Sequence, residues 1–156
     1  MSGHTKSHSL DSTSDHSGGK VLITPEGGVA IKLTNKTGAN SVKGTIVVAD
    51  PDVDNAFEIA PADTQSPIGV VYEAGVADGS DAWVVVYGIA EVLLKDSTTS
   101  TRGYWAKVSD TNGRADITTS NPPVATAAEH SKEIGHGLES KSGGTDVLTK
   151  IAMHFN

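Results

Sequence analysis

The six histidines are the side chains of this chain most able to bind a metal or move a proton. His4, His8 and His16 lie in a run of small and polar residues, where three imidazoles could capture a transition-metal ion. Their spacing matches no closed zinc site, and nothing around them would hold the rings in place. We therefore interpret these three side chains as solvated.

A second histidine group, His130, Glu133 and His136, superficially resembles a metalloprotease motif. That motif requires histidines four residues apart, with the glutamate directly after the first histidine. On a regular strand His130 and His136 would share one face, and Glu133 would point to the other. The pattern favours loop and surface residues, so we expect no metal ion and no cofactor.

Asp50, Asp52 and Asp54 alternate as the carboxylates of a calcium loop do. An EF-hand then needs glycine at its sixth position and glutamate at its twelfth, where this chain has Asn55 and Pro61. The segment is predicted to be an acidic, solvated turn. No phosphate-binding loop, nucleophile elbow or dinucleotide motif occurs either, so the sequence favours an interaction protein over an enzyme.

Composition predicts an all-β fold that depends on partners. The 156 residues include 16 Val, 9 Ile and 16 Thr against 7 Leu and 2 Met, and β-branched side chains favour strands. Only seven residues are aromatic, a small apolar supply for this length, so we expect further burial at contacts with other chains. With no cysteine there is no disulfide and no thiol nucleophile.

Charge and hydropathy exclude two kinds of partner. The net charge is −7 and no basic block occurs, so we expect no nucleic-acid partner. The longest apolar run, Trp83–Leu94, is interrupted by Gly88 and Glu91 and is shorter than the about 20 residues that span a bilayer. We expect no membrane partner. The first residues include no apolar signal segment, so synthesis in a cytoplasm is expected.

The N-terminal segment is predicted to be a flexible arm. Residues 1–20 contain almost no aliphatic side chains and end near a hinge at Gly18 and Gly19. A short apolar run follows and suits an edge strand, which we take as the candidate contact strand: Val21, Leu22, Ile23 and Thr24.

Downstream of the arm the pattern is strand, turn, strand. Val29, Ile31 and Leu33 alternate with smaller or polar residues, as in a half-buried strand. Further apolar runs occupy 45–49, 68–73 and 83–94, the last of which we expect to bend at Gly88. Residues 124–132 are compatible with one helical turn or a loop.

The two halves of the chain contain matching short sequence motifs. They are Lys43-Gly44 with Arg102-Gly103, Ile68-Gly69…Glu73 with Ile134-Gly135…Glu139, and Gly79–Trp83 with Gly144–Leu148. This repetition predicts two duplicated β units that pack as a single domain. The expected partition is an arm at 1–20, a first unit with its entry strand at 21–96 and a second unit at 97–156. The tract 97–101 is interpreted as the linker between the units.

Three segments, 42–47, 66–73 and 79–92, resemble the head decoration (cement) proteins of tailed bacteriophages. In that family a basic-Gly strand, an Ile-Gly turn and a β-branched strand with a central glycine follow in this order. The resemblance covers about 42–94 well and 101–156 more loosely, through the repeat. It implies an all-β, β-clip or β-tulip-like small barrel or sandwich, with no chemistry of its own.

The resemblance also implies where such a protein acts. It would be a homotrimer on the outside of an assembled capsid, bound to the major capsid protein at three-fold or quasi-three-fold positions, with its arm adding a strand to a capsid-protein sheet. One alternative is a glycan-binding or adhesion module of a virion, with stacking faces offered by Tyr72, Trp83, Tyr87, Tyr104 and Trp105. Another is an accessory β-clip domain of an enzyme, which no catalytic motif in the chain supports.

Overall fold

The computed structural model describes residues 15–16, 19–118 and 126–155, and within them the protein is all-β apart from one helical turn. Most of the predicted arm, including Gly18, lies outside the described residues. The strands are β1 (Asp15–His16), β2 (Val21–Ile23), β3 (Gly28–Asn35), β4 (Ile46–Ala49), β5 (Ala56–Ile59), β6 (Gly69–Val71), β7 (Asp81–Leu93), β8 (Trp105–Val108), β9 (Ala115–Ile117), β10 (Glu133–Gly137) and β11 (Leu148–Met153), and the helix is α1 (Ala127–Ser131).

The sheet closes into two small rings of paired strands. Its order is β1-β2-β3-β5-β4-β6-β7-β11-β10-β8-β9, and an additional β3–β7 pairing closes the first ring, β3-β5-β4-β6-β7. A parallel bridge between Leu94 and Ala115 joins the end of β7 to β9 and completes the second ring, β7-β11-β10-β8-β9. The all-β, small-barrel prediction is confirmed, and both rings contain β7.

The same hydrogen bonds recur in both halves, which supports the predicted duplication. The Ser41 hydroxyl donates to the Glu73 carbonyl over 2.6 Å, and the Ser100 hydroxyl donates to the Glu139 carbonyl over the same distance. The Glu73 side chain accepts from the amide of Trp83, and that of Glu139 accepts from the amide of Lys150. Two backbone hydrogen bonds of the first half also have counterparts in the second. Gly44 N–H donates to the Val71 carbonyl, as Gly103 N–H donates to that of Gly137. Ala60 N–H donates to the Ile46 carbonyl, as Thr118 N–H donates to that of Trp105.

Strand pairing extends the equivalence to β7. Ile31 pairs with Val84 in the first ring, as Ala90 pairs with Ile151 in the second. The C-terminal half of β7 therefore plays in the second ring the part that β3 plays in the first. Counted this way the second unit begins within β7, before residue 97, and the sequence partition at 96/97 stays a prediction.

Two details of the predicted repeat differ in the structure. The third pair of motifs aligns Trp83 with Leu148. The amide of Trp83 donates to the Glu73 carboxylate and that of Lys150 to the Glu139 carboxylate, so Lys150 is the structural equivalent of Trp83. The tract 97–101 is more than a linker, because Ser100 is buried and bonds to the backbone of Lys141 in both directions.

One core serves both rings. A single cluster of buried apolar side chains takes members from each ring, among them Ile46, Val70, Ile134 and Ile151, and a smaller cluster fills the first ring around Phe57. In β3 the buried face is opposite to the one that the alternation of large apolar residues predicts. Ala30 is buried, while Val29 and Ile31 are half-buried. Both faces of this strand are partly covered, so the larger residues do not mark the core side.

At Gly88, where the sequence predicts a bend, the backbone departs from strand geometry without interrupting the thirteen-residue strand. Gly88 has φ +82°, and the register against β3 shifts between Val29 and Ala30. A Cβ at Gly88 would lie 2.5 Å from the carbonyl oxygen of Gly27. Only glycine combines this backbone conformation with so close an approach.

The helical turn α1 is capped and held by charges. Thr126 accepts from the amide of Glu129 as N-cap, and the Glu129 carboxylate lies 2.7 Å from the Lys107 ammonium of β8 and 2.8 Å from that of Lys132. Hydrogen bonds from Lys107 and then Lys132 lower the pKa of Glu129 to about 2. Thr126 and these three charged residues tie α1 to β8.

The Glu129 network predicts an acid-sensitive contribution to stability. A depressed carboxyl pKa stabilises the folded state above the unfolded value of 4.5 and loses this effect as pH falls toward about 2. The group is partly exposed, so we expect about 1 kcal/mol. Thermal melts from pH 6 to pH 2.5 should show Glu129→Gln losing less stability than the unmodified protein. Parallel curves for the two proteins would contradict this.

Candidate interaction surface

The predicted contact strand forms the middle of a three-stranded meander at one end of the sheet. Val21, Leu22 and Ile23 pair antiparallel with Ile31, Ala30 and Val29 of β3. On the other side the backbone of β1 pairs with Val21 and Leu22. The strand is therefore an inner strand at Val21 and Leu22, and β1 is the last strand of the sheet. Gly19 precedes it with φ +86°.

The hydrogen-bond pattern decides which way the backbone of β2 faces. Thr24 N–H donates to the Gly28 carbonyl and Lys32 N–H to the Lys20 carbonyl. Bonded pairs alternate in an antiparallel ladder, so Leu22 is the residue of β2 that bonds to β3. The N–H groups of Val21 and Ile23 point away from β3. That of Val21 faces β1, which pairs with it at His16, and that of Ile23 faces the side of β2 beyond this pairing.

Thr24 has a structural part in this meander. It is buried, and its hydroxyl accepts from the amide of Gly28 over 2.8 Å. The carbonyl of Thr24 accepts from Gly27, which has φ +101°. Thr24 therefore holds the β2–β3 turn, and of the four candidate residues it offers the least to a partner.

A depression of about 730 Å³ runs beside the meander. Its lining residues are Gly19, Lys20, Val21, Ile31, Lys32, Leu33, Thr34, Asp54, Asn55 and Asp81. Lys32 covers the Trp83 ring, with its ammonium 5.0 Å from the ring centroid. The depression is open to solvent, and more than half of its lining side chains are polar or charged.

Exposed apolar residues mark a second patch. Val42 is 56% exposed and Ile59 40% exposed, and both line a depression of about 100 Å³ together with Ala39 and Thr45. Single exposed aliphatic residues are common, and these two flank one groove.

The aromatic residues proposed as stacking faces are mostly covered. Trp105 is fully buried, which excludes it as a stacking surface for a glycan, and this part of the alternative is wrong. Tyr72 and Trp83 are half-buried beneath Lys43 and Lys32. Tyr87, at 68%, is strongly exposed.

A small polar cluster lies where the β2–β3 turn meets β7. The Lys43 ammonium lies 3.3 Å from the Glu91 carboxylate and 4.6 Å from the centroid of the Tyr72 ring. Burial, and then the charge of Glu26, raise the pKa of Tyr72. The cavity between them measures about 10 Å³, which admits one water molecule at most. The cluster joins the two rings and has no room for a substrate.

The histidine group behaves differently from its prediction. Glu133 does not point away from His136; the two side chains approach each other, and His154 joins them from the end of β11. His154 lies 18 residues from His136 in the chain, so no local spacing could reveal it. The Asp50 segment, in contrast, is the predicted exposed turn, in which the Asp50 carboxylate accepts from two backbone amides.

No family model and no curated protein matches the sequence. Among solved structures, the head fiber gp8.5 N base in bacteriophage phi29 superimposes with a TM-score of 0.52 at 16% sequence identity. The match covers 80% of this chain and 92% of that chain. The two proteins share a fold. The sequence resemblance to phage head proteins is thereby confirmed at the level of the fold. No helix in the described part of the chain is long and apolar enough to cross a membrane.

Proposed function

We propose that this protein is a non-enzymatic structural component of a bacteriophage virion that binds the outside of the assembled capsid and stabilises the shell. The observation that carries the proposal is the fold shared with the head fiber gp8.5 N base in bacteriophage phi29. Three segments of the sequence independently resemble phage head decoration proteins. Its partners would be the major capsid protein and further copies of itself, as a trimer at three-fold or quasi-three-fold positions.

Features of the surface support a binding role. β1 covers the outer side of β2 at Val21 and Leu22, and the N–H group of Ile23 points outward beyond the described residues of β1. Such an edge can accept or donate a strand, and main-chain hydrogen bonds then supply the affinity. The exposed pair Val42 and Ile59 offers an apolar contact elsewhere on the molecule. Three linked copies would need only weak single contacts.

The direct test is co-sedimentation with purified, expanded heads of the phage that encodes the chain, together with the mass of the free protein in solution. The proposal expects saturable sedimentation with heads and a mass of three chains. A monomer that does not sediment with heads would refute it. A monomer that does sediment would keep the capsid role and refute the free trimer.

Strand addition at β2 predicts the effect of one proline. In Ile23→Pro the outward N–H is lost while the bonds between Leu22 and β3 remain, so we expect affinity for heads to fall at least about tenfold. The matched control is Ile23→Ala, which removes the side chain and keeps the N–H. It should retain affinity within about twofold. Equal binding by both variants and the unmodified protein would show that this edge does not contact the shell.

A further inference from the structure

Three potential metal-ligating atoms converge at the start of β10 and the end of β11. The Nε2 atom of His154 lies 3.2 Å from the Glu133 Oε2 atom and 3.3 Å from the Nδ1 atom of His136. That Nδ1 atom lies 4.0 Å from the same carboxylate oxygen. The two imidazole rings are stacked, with centroids 5.3 Å apart. The described part of the chain holds no other such group of three histidines or acids.

The separations suit a transition-metal ion. Ligand atoms of a tetrahedral zinc ion at about 2.0–2.2 Å lie about 3.3–3.6 Å apart. Two of the three separations here, 3.2 and 3.3 Å, are close to that spacing, and the third, 4.0 Å, would close by a small turn of the half-exposed His136 ring. Two imidazoles and one carboxylate form a borderline donor set that zinc, cobalt and nickel accept and that calcium and magnesium do not prefer. Three protein ligands leave a further position open on the exposed side, where His136 and His154 reach solvent.

The fold builds this arrangement rather than leaving it to mobile side chains. The register of β10 against β8 shifts between Glu133 and Gly135, so an extra residue stands between Glu133 and His136. A bulge of this kind reverses the alternation of faces, and residues three apart then point the same way. Gly135 permits it with φ +146°, and Ile134 is buried on the opposite side.

The surroundings fix the ligands further. The backbone N–H of His154 donates to the Ile134 carbonyl over 2.9 Å, which places the last described residues of the chain against β10. The Glu133 carboxylate is 93% buried, and its second oxygen, Oε1, lies 3.8 Å from the Nδ1 atom of His130. At 3.8 Å the His130 ring is in electrostatic contact with this oxygen but beyond hydrogen-bond distance, on the side of the carboxylate away from His136 and His154.

We propose that Glu133, His136 and His154 bind a divalent transition-metal ion, with zinc as the physiological candidate, and that His130 orients the carboxylate. The ion would tie the segment after β11 to the bulge of β10. This inference is independent of the capsid role, since it concerns a site within one chain.

Cobalt provides the test, because its visible absorption reports both binding and coordination. The arm histidines could bind cobalt themselves, so the experiment uses a full-length background with His4→Asn, His8→Asn and His16→Asn. In this background we expect one cobalt ion per chain and competition by zinc. Adding His154→Asn or His136→Asn should weaken binding at least about tenfold, while His130→Asn should weaken it less.

Folding is checked separately in EDTA, where His154→Asn should melt within about 2 °C of its background because the side chain is half exposed. Zinc should raise the melting temperature of the background and leave that of His154→Asn unchanged. Two results would overturn the proposal: no saturable binding in the background, or equal affinity with and without His154 and His136. Either result leaves the proposed capsid role untouched.

Discussion

Gly135→Ala is expected to lower the free energy of unfolding by at least about 3 kcal/mol. An added Cβ would lie 2.0 Å from the carbonyl oxygen of Ala152, which is backbone and has no rotamer to escape into. Gly135 also has φ +146°, a conformation that side chains avoid. Relief of the clash requires β10 and β11 to separate at the bulge.

Gly103→Ala is the matched control for this prediction. Gly103 has φ +81°, and nothing lies within 4 Å of the position of its Cβ. Gly103→Ala should lower the free energy of unfolding by the backbone strain alone, about 1 kcal/mol. Urea denaturation of both variants separates the backbone strain from the steric clash with Ala152. Equal decreases in the free energy of unfolding would mean that backbone strain alone accounts for the effect and that β10 and β11 separate without an energetic penalty.

Gly135→Ala should also weaken cobalt binding, since the bulge places Glu133 beside His136.

Trp105→Ala is expected to lower the free energy of unfolding by about 3–5 kcal/mol, as truncation of a large buried aromatic residue does. Trp105 has no exposed surface and lies in β8, where its position corresponds to that of Ile46 in β4. Its Nε1–H is buried without a hydrogen-bond partner among the described residues. An unpaired buried donor is itself unfavourable, by about 1–3 kcal/mol.

Trp105→Phe therefore separates the two contributions. It removes the unpaired N–H and keeps much of the apolar volume, so the loss should be below about 1.5 kcal/mol, and denaturation curves measure both variants. If Trp105→Phe lowers the free energy of unfolding as much as Trp105→Ala does, the indole N–H makes a bond that compensates for its burial.

Trp105→Ala is uninformative in a glycan-binding assay, because it perturbs the core. Tyr87→Ala is the informative change there, because this side chain is exposed.

The sequence alone supports the strand content and the local breaks. β-branched runs predict β4, β6 and β7, and glycine within the longest run predicts the bend at Gly88, because these features depend on local backbone preferences. The matched words of the repeat correctly relate Gly44 to Gly103 and Glu73 to Glu139, since both pairs make the same turn and side-chain bonds.

The start of the second unit within β7 is harder to see. Ala30 and Ile31 of β3 correspond to Ile89 and Ala90 of β7. Large and small residues have therefore exchanged places, and the two segments share no recognisable sequence motif. β7 also reads as one continuous strand. Which half belongs to which ring depends on non-local pairing, and periodicity carries no information on that.

The orientation predicted for Glu133 is wrong for a different physical reason. Regular alternation along a strand would turn Glu133 away from His136, and the extra residue Ile134, before Gly135, reverses that alternation. Glycine in a strand can mark a bulge, but the sequence does not say which glycine does. His154 reaches the group only through the pairing of β10 with β11.

The sharing of β7 has a mechanical consequence. One continuous backbone of thirteen residues runs through both rings, so a pull applied to one ring reaches the other along covalent bonds instead of across a contact that can slip. Neither ring can come apart without taking a strand from its neighbour. Under tension the pair should therefore yield in one step, at a single rupture force, where two rings joined by a flexible tether would yield one after the other.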